Sequence, residues 1–325
     1  MSVGVSVAGL DRRLSAAVDA VEVADGARSA SVAGQEVTAE GAAALRAVLS
    51  RKLYEVLHTG RDASGDAPAR TLRDPETEAA LTRATPHREV LVSGFLAAAP
   101  GGRVVELDGL RVRVPDDVPL TEGAEDVVRL RLPAVRPALS PGFFLADGSA
   151  GRPGPGAVLR VYVRVPDAWA ARELWGAVLG ALEERAVRYR AKVISHEGGL
   201  PRNDGLVVYL GPESYGAVGT VAEAAGRVAA GAGASVFART VAPGVAVAWE
   251  PDDRRPGMRG LSFGEHRAAV LARELTDAAA AGRARPAPGE LAEALRAANV
   301  DPLDPARNLD SGPWPALGRN LSFLK

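Results

Sequence analysis

The chain has no cysteine, almost no net charge and no long apolar run, and each absence excludes a class of protein. Without cysteine there is no disulfide, no thiolate nucleophile and no zinc site with cysteine ligands. A formal net charge of -1 on 325 residues lacks the basic excess that general binding to nucleic acid or to a membrane surface requires. No apolar run reaches the ~18 residues of a spanning helix, and the first residues do not form a secretory signal. We therefore expect a cytoplasmic protein.

Histidine and lysine are also scarce. The four histidines are His58, His87, His196 and His266. They are scattered, with no pair at the helical spacing of metal ligands, so we predict no metal and no cofactor. Only three of the 39 basic residues are lysines, namely Lys52, Lys192 and Lys325. Arginine does not act as a base in practice, whereas a buried lysine can. Lys192 lies in the charge-dense middle of the chain, which favours it as a base, although chance also explains the position of one lysine among three.

The apolar periodicity predicts an α+β fold with a central, mainly antiparallel sheet flanked by helices. We divide the chain into an N-terminal helical region with a small hairpin, a small β subdomain, a core, and a C-terminal helix with a proline-rich tail: residues 1–88, 89–139, 140–282 and 283–325. The hairpins are expected to turn at Asp25-Gly26 and Asp108-Gly109. Residues 134–157 hold many prolines and glycines and are interpreted as a connector.

Two predicted strands carry cations at alternate positions. LRVYVRV (159–165) places Arg160, Tyr162 and Arg164 on one face. RYRAKVIS (188–195) places Arg188, Arg190 and Lys192 on one face in the same way. Like charges on one sheet face repel unless something anionic neutralises them. The pattern fits either a solvated, salt-bridged face or an oxyanion pocket, because the guanidinium fork matches phosphate geometry.

Two further segments suit an anion. Arg202 and Asp204 precede a predicted strand at 206–211, where Asp204 could orient Arg202, although an ordinary Asn-Asp-Gly turn explains them equally well. Ser262-Phe263-Gly264 precedes a predicted helix whose first turn carries His266 and Arg267. Helix N-termini attract phosphate through their free N–H groups, but a capped surface helix has the same sequence.

Taken in order, the segments RVYVRV, YRAKV, GLPRNDGLVVYL and LSFGEHR resemble the HopA-type type III effector family. SPGFFLADG and KLYEVL resemble its upstream segments, and the likeness covers roughly residues 40–282, most strongly 140–275. Arg164 departs from the family, which often has asparagine there. The family includes the lyase components of class V lanthipeptide and thioamitide synthetases. The resemblance therefore implies a lyase core that eliminates phosphate from phosphoserine or phosphothreonine of a precursor peptide, leaving dehydroalanine or dehydrobutyrine.

The resemblance also implies a partner, a separate phosphotransferase-like kinase that phosphorylates the precursor peptide. We expect either a monomer or a heterodimer with this kinase, docked through the N-terminal helices and the strands of 90–132. Two other functions stay open, a non-catalytic partner that binds the phosphorylated or leader peptide and an effector-like interaction protein. The fate of a phosphopeptide, mass loss or mere retention, separates a lyase from a binding module.

Elimination requires a base for the Cα proton, cations for the phosphate and an acid for the leaving oxygen. Lys192 is the expected base, because neighbouring guanidinium charges and desolvation favour its neutral form. Arg160, Arg202 and Arg267 are the expected phosphate clamp, and Tyr162 is expected to line the pocket. His266 is the preferred acid, because on a continuous strand His196 lies about 13 Å from Lys192, at ~3.3 Å per residue.

Overall fold

The structure is a computed structural model that describes residues 9–24, 26–61, 73–97, 102–107, 109–123, 126–228, 231–287 and 289–315. Within these residues the chain forms helices and three antiparallel sheets, which confirms the α+β prediction.

The N-terminal region combines helices with a small sheet. Helix α1 (Arg12–Asp19) is followed by a three-stranded sheet of β1 (Val21–Val23), β2 (Ser29–Val32) and β3 (Gln35–Thr38). The sequence predicted a hairpin here, and the third strand is new; Asp25 of the expected turn lies outside the described residues. Helix α2 (Ala42–Leu53) continues into a wider π-helical turn (Tyr54–Thr59), and α3 (Pro75–Ala84) begins at the capping side chain of Asp74.

A separate five-stranded sheet follows. It contains β4 (Glu89–Ala97), β5 (Arg103–Leu107), β6 (Leu110–Val114), β7 (Leu120–Glu122) and β8 (Val127–Pro133), in the order β6-β5-β4-β8-β7. The predicted β5–β6 hairpin is present, although Asp108 lies outside the described residues. One face of this sheet packs a small apolar core around Val105, Val128 and Leu130.

The central sheet has seven strands, all paired antiparallel, in the order β14-β15-β11-β13-β12-β10-β9. They are β9 (Val135–Ser140), β10 (Phe143–Asp147), β11 (Leu159–Val165), β12 (Tyr189–Ile194), β13 (Arg202–Leu210), β14 (Arg239–Ala242) and β15 (Val245–Trp249). The interpretation of 134–157 as a connector was therefore wrong for its first half. Pro137 lies within β9, Pro141 and Gly142 separate β9 from β10, and every residue of β10 is buried.

Helices cover both faces of the central sheet. On one face α3, α4 (Ala168–Glu183) and α5 (Val218–Val228) pack against Val161, Val163 and the other apolar residues of β11. On the other face α2 packs beside α6 (Phe263–Ala280) and α7 (Glu290–Ala297), over Tyr162 and Val207. The alternating face of β11 that carries Arg160 and Tyr162 therefore lies under helices from both ends of the chain.

An irregularity in the pairing of β11 with β13 shapes the functional face. Val163 pairs with Leu206, but the next pair is Val165 with Arg202, so three residues of β13 lie opposite Arg164. The sequence had predicted a loop before the strand at residues 202–204. These residues are instead part of β13. A bulge of this kind bends a strand and redirects its side chains, and bulges occur often beside active sites.

Candidate functional site

A cleft of about 920 Å³ opens where β10, β12 and β13 meet the π-helical turn and the segment that leads into α6. Its walls come from the π-helical turn, the strands of the central sheet and the segment between β15 and α6. The aromatic and charged residues of its lining include Tyr54, Phe143, Arg160, Lys192, Arg202, Tyr209, Glu250, Asp252, Asp253 and Glu265.

Two cations share one aromatic ring at the centre of this cleft. The Lys192 Nζ lies 4.2 Å from the centroid of the Phe143 ring, and the Arg202 Cζ lies 5.3 Å from the same centroid. Lys192 lies beside Phe143 because β12 and β10 are neighbouring strands. On its other side Lys192 pairs with Val207 of β13. The described residues supply neither a hydrogen bond nor an ion pair to the Lys192 ammonium, so its donors remain available to a ligand.

Arg202 is held in place by Asp204 and Tyr54. Its Nε and Nη2 donate to the two carboxylate oxygens of Asp204 at 2.7 and 2.9 Å, and Nη2 also donates to the Tyr54 hydroxyl at 2.9 Å. Both members of the ion pair are buried. Burial alone would raise the pKa of Asp204, but the adjacent Arg202 guanidinium holds it well below its usual range. The predicted orientation of Arg202 by Asp204 is thus present in the structure.

His58 lies directly behind this pair. Its Nδ1 is 2.8 Å from the Ser235 hydroxyl, and its Nε2 is 3.6 Å from Oδ2 of Asp204. Burial lowers the pKa of His58 to about 4, so the ring is neutral at physiological pH. Glycine makes room for it: a Cβ on Gly264 would lie 2.2 Å from the ring carbon Cδ2 of His58. Gly264 of the SFGEHR segment is therefore needed for close packing.

Arg160 reaches the cleft but is already paired. It forms a two-pronged ion pair with Glu250, and its guanidinium lies 5.1 Å from the centroid of the Tyr209 ring. Tyr162, expected to line the pocket, is instead buried under α6 and packs edge-on against His58. Arg160 can contribute charge to the cleft wall, whereas Tyr162 supports the residues behind it.

His266 and Arg267 do not reach the cleft. The Nε2 of His266 is 2.9 Å from Asp253, and its Nδ1 is 2.7 Å from the Arg267 guanidinium, so both ring nitrogens have partners and the side chain is fully buried. Arg267 is also buried and donates to the carbonyl oxygen of Pro305 and to Asn308. Burial lowers the pKa of His266 to about 4. In this arrangement the two residues fix the C-terminal segment to α6, and neither lines the cleft.

His196, the other histidine considered as an acid, is half-buried and does not line the cleft. Burial, together with the charges of Arg202 and Arg61, lowers its pKa. Neither histidine proposed from the sequence as the acid therefore contacts the space between Lys192 and Arg202.

The cleft carries charges of both signs. Four carboxylates line it: Glu250, Asp252, Asp253 and Glu265. Most of them face an arginine or a backbone donor, as Asp253 does with Arg255 at 2.8 Å and Glu265 with the N–H of Ser262 at 2.8 Å. Among the described residues, two cations of the lining have no counter-charge, Lys192 and the exposed Arg259, and Lys192 is the one that shares the Phe143 ring with Arg202.

No group of three or more histidines and carboxylates among the described residues is placed to hold a metal ion. No helix in the same part of the chain is long and apolar enough to cross a membrane.

A sequence model of the HopA1 effector protein family matches residues 134–307, more than half of the chain. The chain belongs to the HopA1 effector protein family. No curated protein sequence matched it. Among solved structures, the chain is similar to an effector protein from Pseudomonas syringae pv. tomato strain DC3000, with 13% identity, a TM-score of 0.46 and coverage of 84% of this chain and 91% of that chain. An effector protein from Pseudomonas syringae pv. syringae strain 61 is similar at 15% identity and a TM-score of 0.43, over 80% of this chain and 89% of the other.

The HopA1 family segment contains Lys192, Arg202 and Asp204, but the cleft needs more than that segment. Tyr54 and His58 come from the π-helical turn, upstream of the matched residues. The sequence identified Tyr54 only as part of a helix and of KLYEVL, one of the segments that resemble the family. Its apolar spacing hid it, because a tyrosine on a buried helix face is usually a core residue.

Proposed function

We propose that this HopA1 family member is a phosphoserine/phosphothreonine lyase, which eliminates phosphate from a precursor peptide and leaves dehydroalanine or dehydrobutyrine. The observation that supports the proposal most is the position of Lys192, an ammonium without a counter-charge that shares the Phe143 ring with Arg202. Such a pair offers a titratable amine and a fixed cation at one point, the two groups that phosphate elimination needs.

In the proposed reaction, the Lys192 ammonium first releases a proton to solvent, and the neutral amine then takes the Cα proton of the phosphorylated residue. The electron pair of the C–H bond forms the Cα=Cβ double bond as the Cβ–O bond breaks, and phosphate leaves. Arg202 holds the phosphate. Its Nη1 donates to no partner among the described residues, whereas Nε and Nη2 donate to Asp204 and Tyr54, so one edge of the guanidinium remains for the ligand. Arg160, already paired with Glu250, adds positive charge to the same wall.

The exchange Lys192→Arg tests the role of Lys192, because it keeps the positive charge and removes the titratable amine. We expect turnover to fall by ~10²–10⁴, the usual contribution of a general base, while phosphopeptide binding persists. The assay is mass spectrometry of phosphoserine and phosphothreonine peptides, which detects the loss of phosphoric acid, with circular dichroism to confirm folding. Near-normal turnover by a folded variant would remove Lys192 from the base role.

Arg202→Ala is expected to weaken binding as well as turnover, because it removes the cation that holds the phosphate. The matched control is Arg172→Ala on α4, an exposed arginine on the opposite side of the central sheet. The control is expected to leave both quantities unchanged. Retention of the phosphopeptide without any mass loss by the wild-type protein would instead favour a non-catalytic phosphopeptide-binding partner.

The proposed partner is a phosphotransferase-like kinase, and the five-stranded sheet is our preferred docking surface. Five of its large apolar side chains are exposed: Leu91, Phe95, Leu96, Leu110 and Val112. They lie on both faces of the sheet, because Leu96 and Val112 both pair with Val105 whereas the neighbouring Phe95 pairs with Glu106. Exposed apolar side chains often mark protein interfaces. The N-terminal helices are a weaker choice than the sequence suggested, because α2 packs against α6 and the turn that follows it supplies Tyr54 to the cleft. We place the reaction in the cytoplasm and expect it to need no metal.

A further inference from the structure

We propose that Tyr54 is the general acid of the elimination, donating its phenolic proton to the bridging oxygen of the departing phosphate. This inference rests on the proposed lyase function and assigns the one chemical role for which the sequence offered only histidines. Tyr54 lines the cleft and contacts Arg202, the residue that holds the phosphate in the proposed reaction.

The geometry around the Tyr54 hydroxyl suits proton donation. The oxygen accepts a hydrogen bond from Nη2 of Arg202 at 2.9 Å, and the hydroxyl donates to Oδ2 of Asp204 at 3.3 Å. A phosphate that binds Nη1 of the same guanidinium is therefore adjacent to the phenol. The position is fixed from behind by His58, whose ring centroid lies 5.5 Å from that of Tyr54.

The chemistry of the leaving group requires such a donor. A phosphomonoester dianion would depart as trianionic phosphate, a strong base, unless a proton reaches the bridging oxygen while the Cβ–O bond breaks. Transfer from Tyr54 lets phosphate leave as the hydrogen phosphate dianion and leaves a tyrosinate beside the Arg202 guanidinium, which stabilises that charge. The cycle closes when the proton that Lys192 took from Cα returns to the Tyr54 oxygen.

The resting protonation states agree with these roles. Burial and the nearby Asp204 carboxylate raise the pKa of Tyr54 well above its usual value, so the phenol carries its proton at neutral pH. Asp204 is ionised and cannot donate. His266 is enclosed by its own partners. Tyr209 is the other phenol among the described residues that line the cleft; its ring lies 5.1 Å from the Arg160 guanidinium, and it makes no hydrogen bond with Arg202 or Asp204.

The test compares two leaving groups on one peptide. A phosphoserine peptide needs protonation of its leaving group, whereas the matching O-sulfoserine peptide releases sulfate, a weak base that departs without a proton. Elimination of each peptide is measured for the wild type, Tyr54→Phe, Tyr209→Phe and Lys192→Arg. Tyr215→Phe serves as the folding control, because within the described residues that hydroxyl donates to the Ala157 carbonyl oxygen alone, outside the cleft.

We expect Tyr54→Phe to slow phosphoserine elimination by ~10²–10⁴ and to leave sulfoserine elimination within a few-fold of wild type, as removal of a general acid predicts. Lys192→Arg is expected to slow both peptides, since both need the Cα proton removed. Equal losses on the two peptides in Tyr54→Phe would overturn the assignment, as would the selective loss appearing in Tyr209→Phe. A wild type inert towards both peptides would refute the lyase function itself and this inference with it.

Discussion

Asp204 is the residue on which the arrangement of the cationic centre depends. It is buried, accepts two hydrogen bonds from Arg202 and lies beside both Tyr54 and His58. Asp204→Asn removes the negative charge and leaves a buried guanidinium without a counter-ion. Breaking a buried ion pair from one side usually costs about 3–5 kcal/mol. We expect a loss of that order in the free energy of unfolding, measured by urea denaturation.

The matched control for this prediction is Asp252→Asn. Asp252 is exposed and lies 3.7 Å from Arg254, so the loss should stay within about 1 kcal/mol, as for other surface pairs. Equal stability of the two variants would mean that Asp204 does not neutralise Arg202 in solution.

The sequence predicted part of the site at the residue scale for a clear reason. Arg160 and Lys192 alternate with apolar residues on strands separated only by β13, and alternation fixes the face on which a side chain lies. His266 and Arg267 were misplaced because a helix N-terminus that binds an anion has the same local sequence as one that is covered. Here the segment that covers the helix N-terminus includes Pro305, almost forty residues after Arg267 in the sequence. No sequence pattern of that segment predicts the contact.

At the scale of elements, the start of α6 depends on a glycine. A Cβ on Gly264 would lie 2.2 and 2.4 Å from two ring carbons of His58, so Gly264→Ala must displace either the helix or the ring. We expect a loss of ~1–3 kcal/mol in unfolding free energy, as for other overpacked sites, together with weaker turnover through displacement of the π-helical turn. Chemical denaturation and the phosphopeptide assay measure the two effects.

Gly219→Ala provides the comparison for this variant. Gly219 lies within α5, and an added Cβ there meets no atom within 4 Å. Alanine favours helices over glycine by up to ~1 kcal/mol, so this variant should be as stable as the wild type or slightly more so. A Gly264→Ala variant as stable as Gly219→Ala would contradict the close packing of His58 against α6.

The elements that the sequence missed share a physical cause. β10 reads as Phe-Phe-Leu-Ala-Asp, a short apolar run without alternation, because neighbouring structure covers both of its faces. Short runs of this kind carry no period that separates a strand from a buried connector. The irregular pairing opposite Arg164 was invisible for a related reason, since register is a property of two strands and not of either sequence alone.

At the scale of the whole molecule, the HopA1 family segment (residues 134–307) lacks part of the cleft lining and part of the core beneath it. The core on the cleft side of the central sheet includes Leu45, Leu49 and Leu53 of α2. A chain limited to residues 134–307 would expose the apolar surface of α6 and lack Tyr54. We expect it to aggregate or to unfold without a cooperative transition in a thermal melt followed by circular dichroism. A sharp melt of this fragment would show that the matched segment folds independently.

The π-helical turn at Tyr54–Thr59 has a consequence for chain length. One residue more than an α-helical turn needs is accommodated there, and wide turns of this kind occur often at functional sites. Because a wide turn absorbs its extra residue locally, removing a single residue such as Glu55 would restore the regular winding while the chain on either side keeps its orientation. Tyr54 and His58 would stay on the same side of the helix, since three residues of α-helix turn through about 300°, close to one full turn. A difference of one residue in length at this point is therefore compatible with the same cleft.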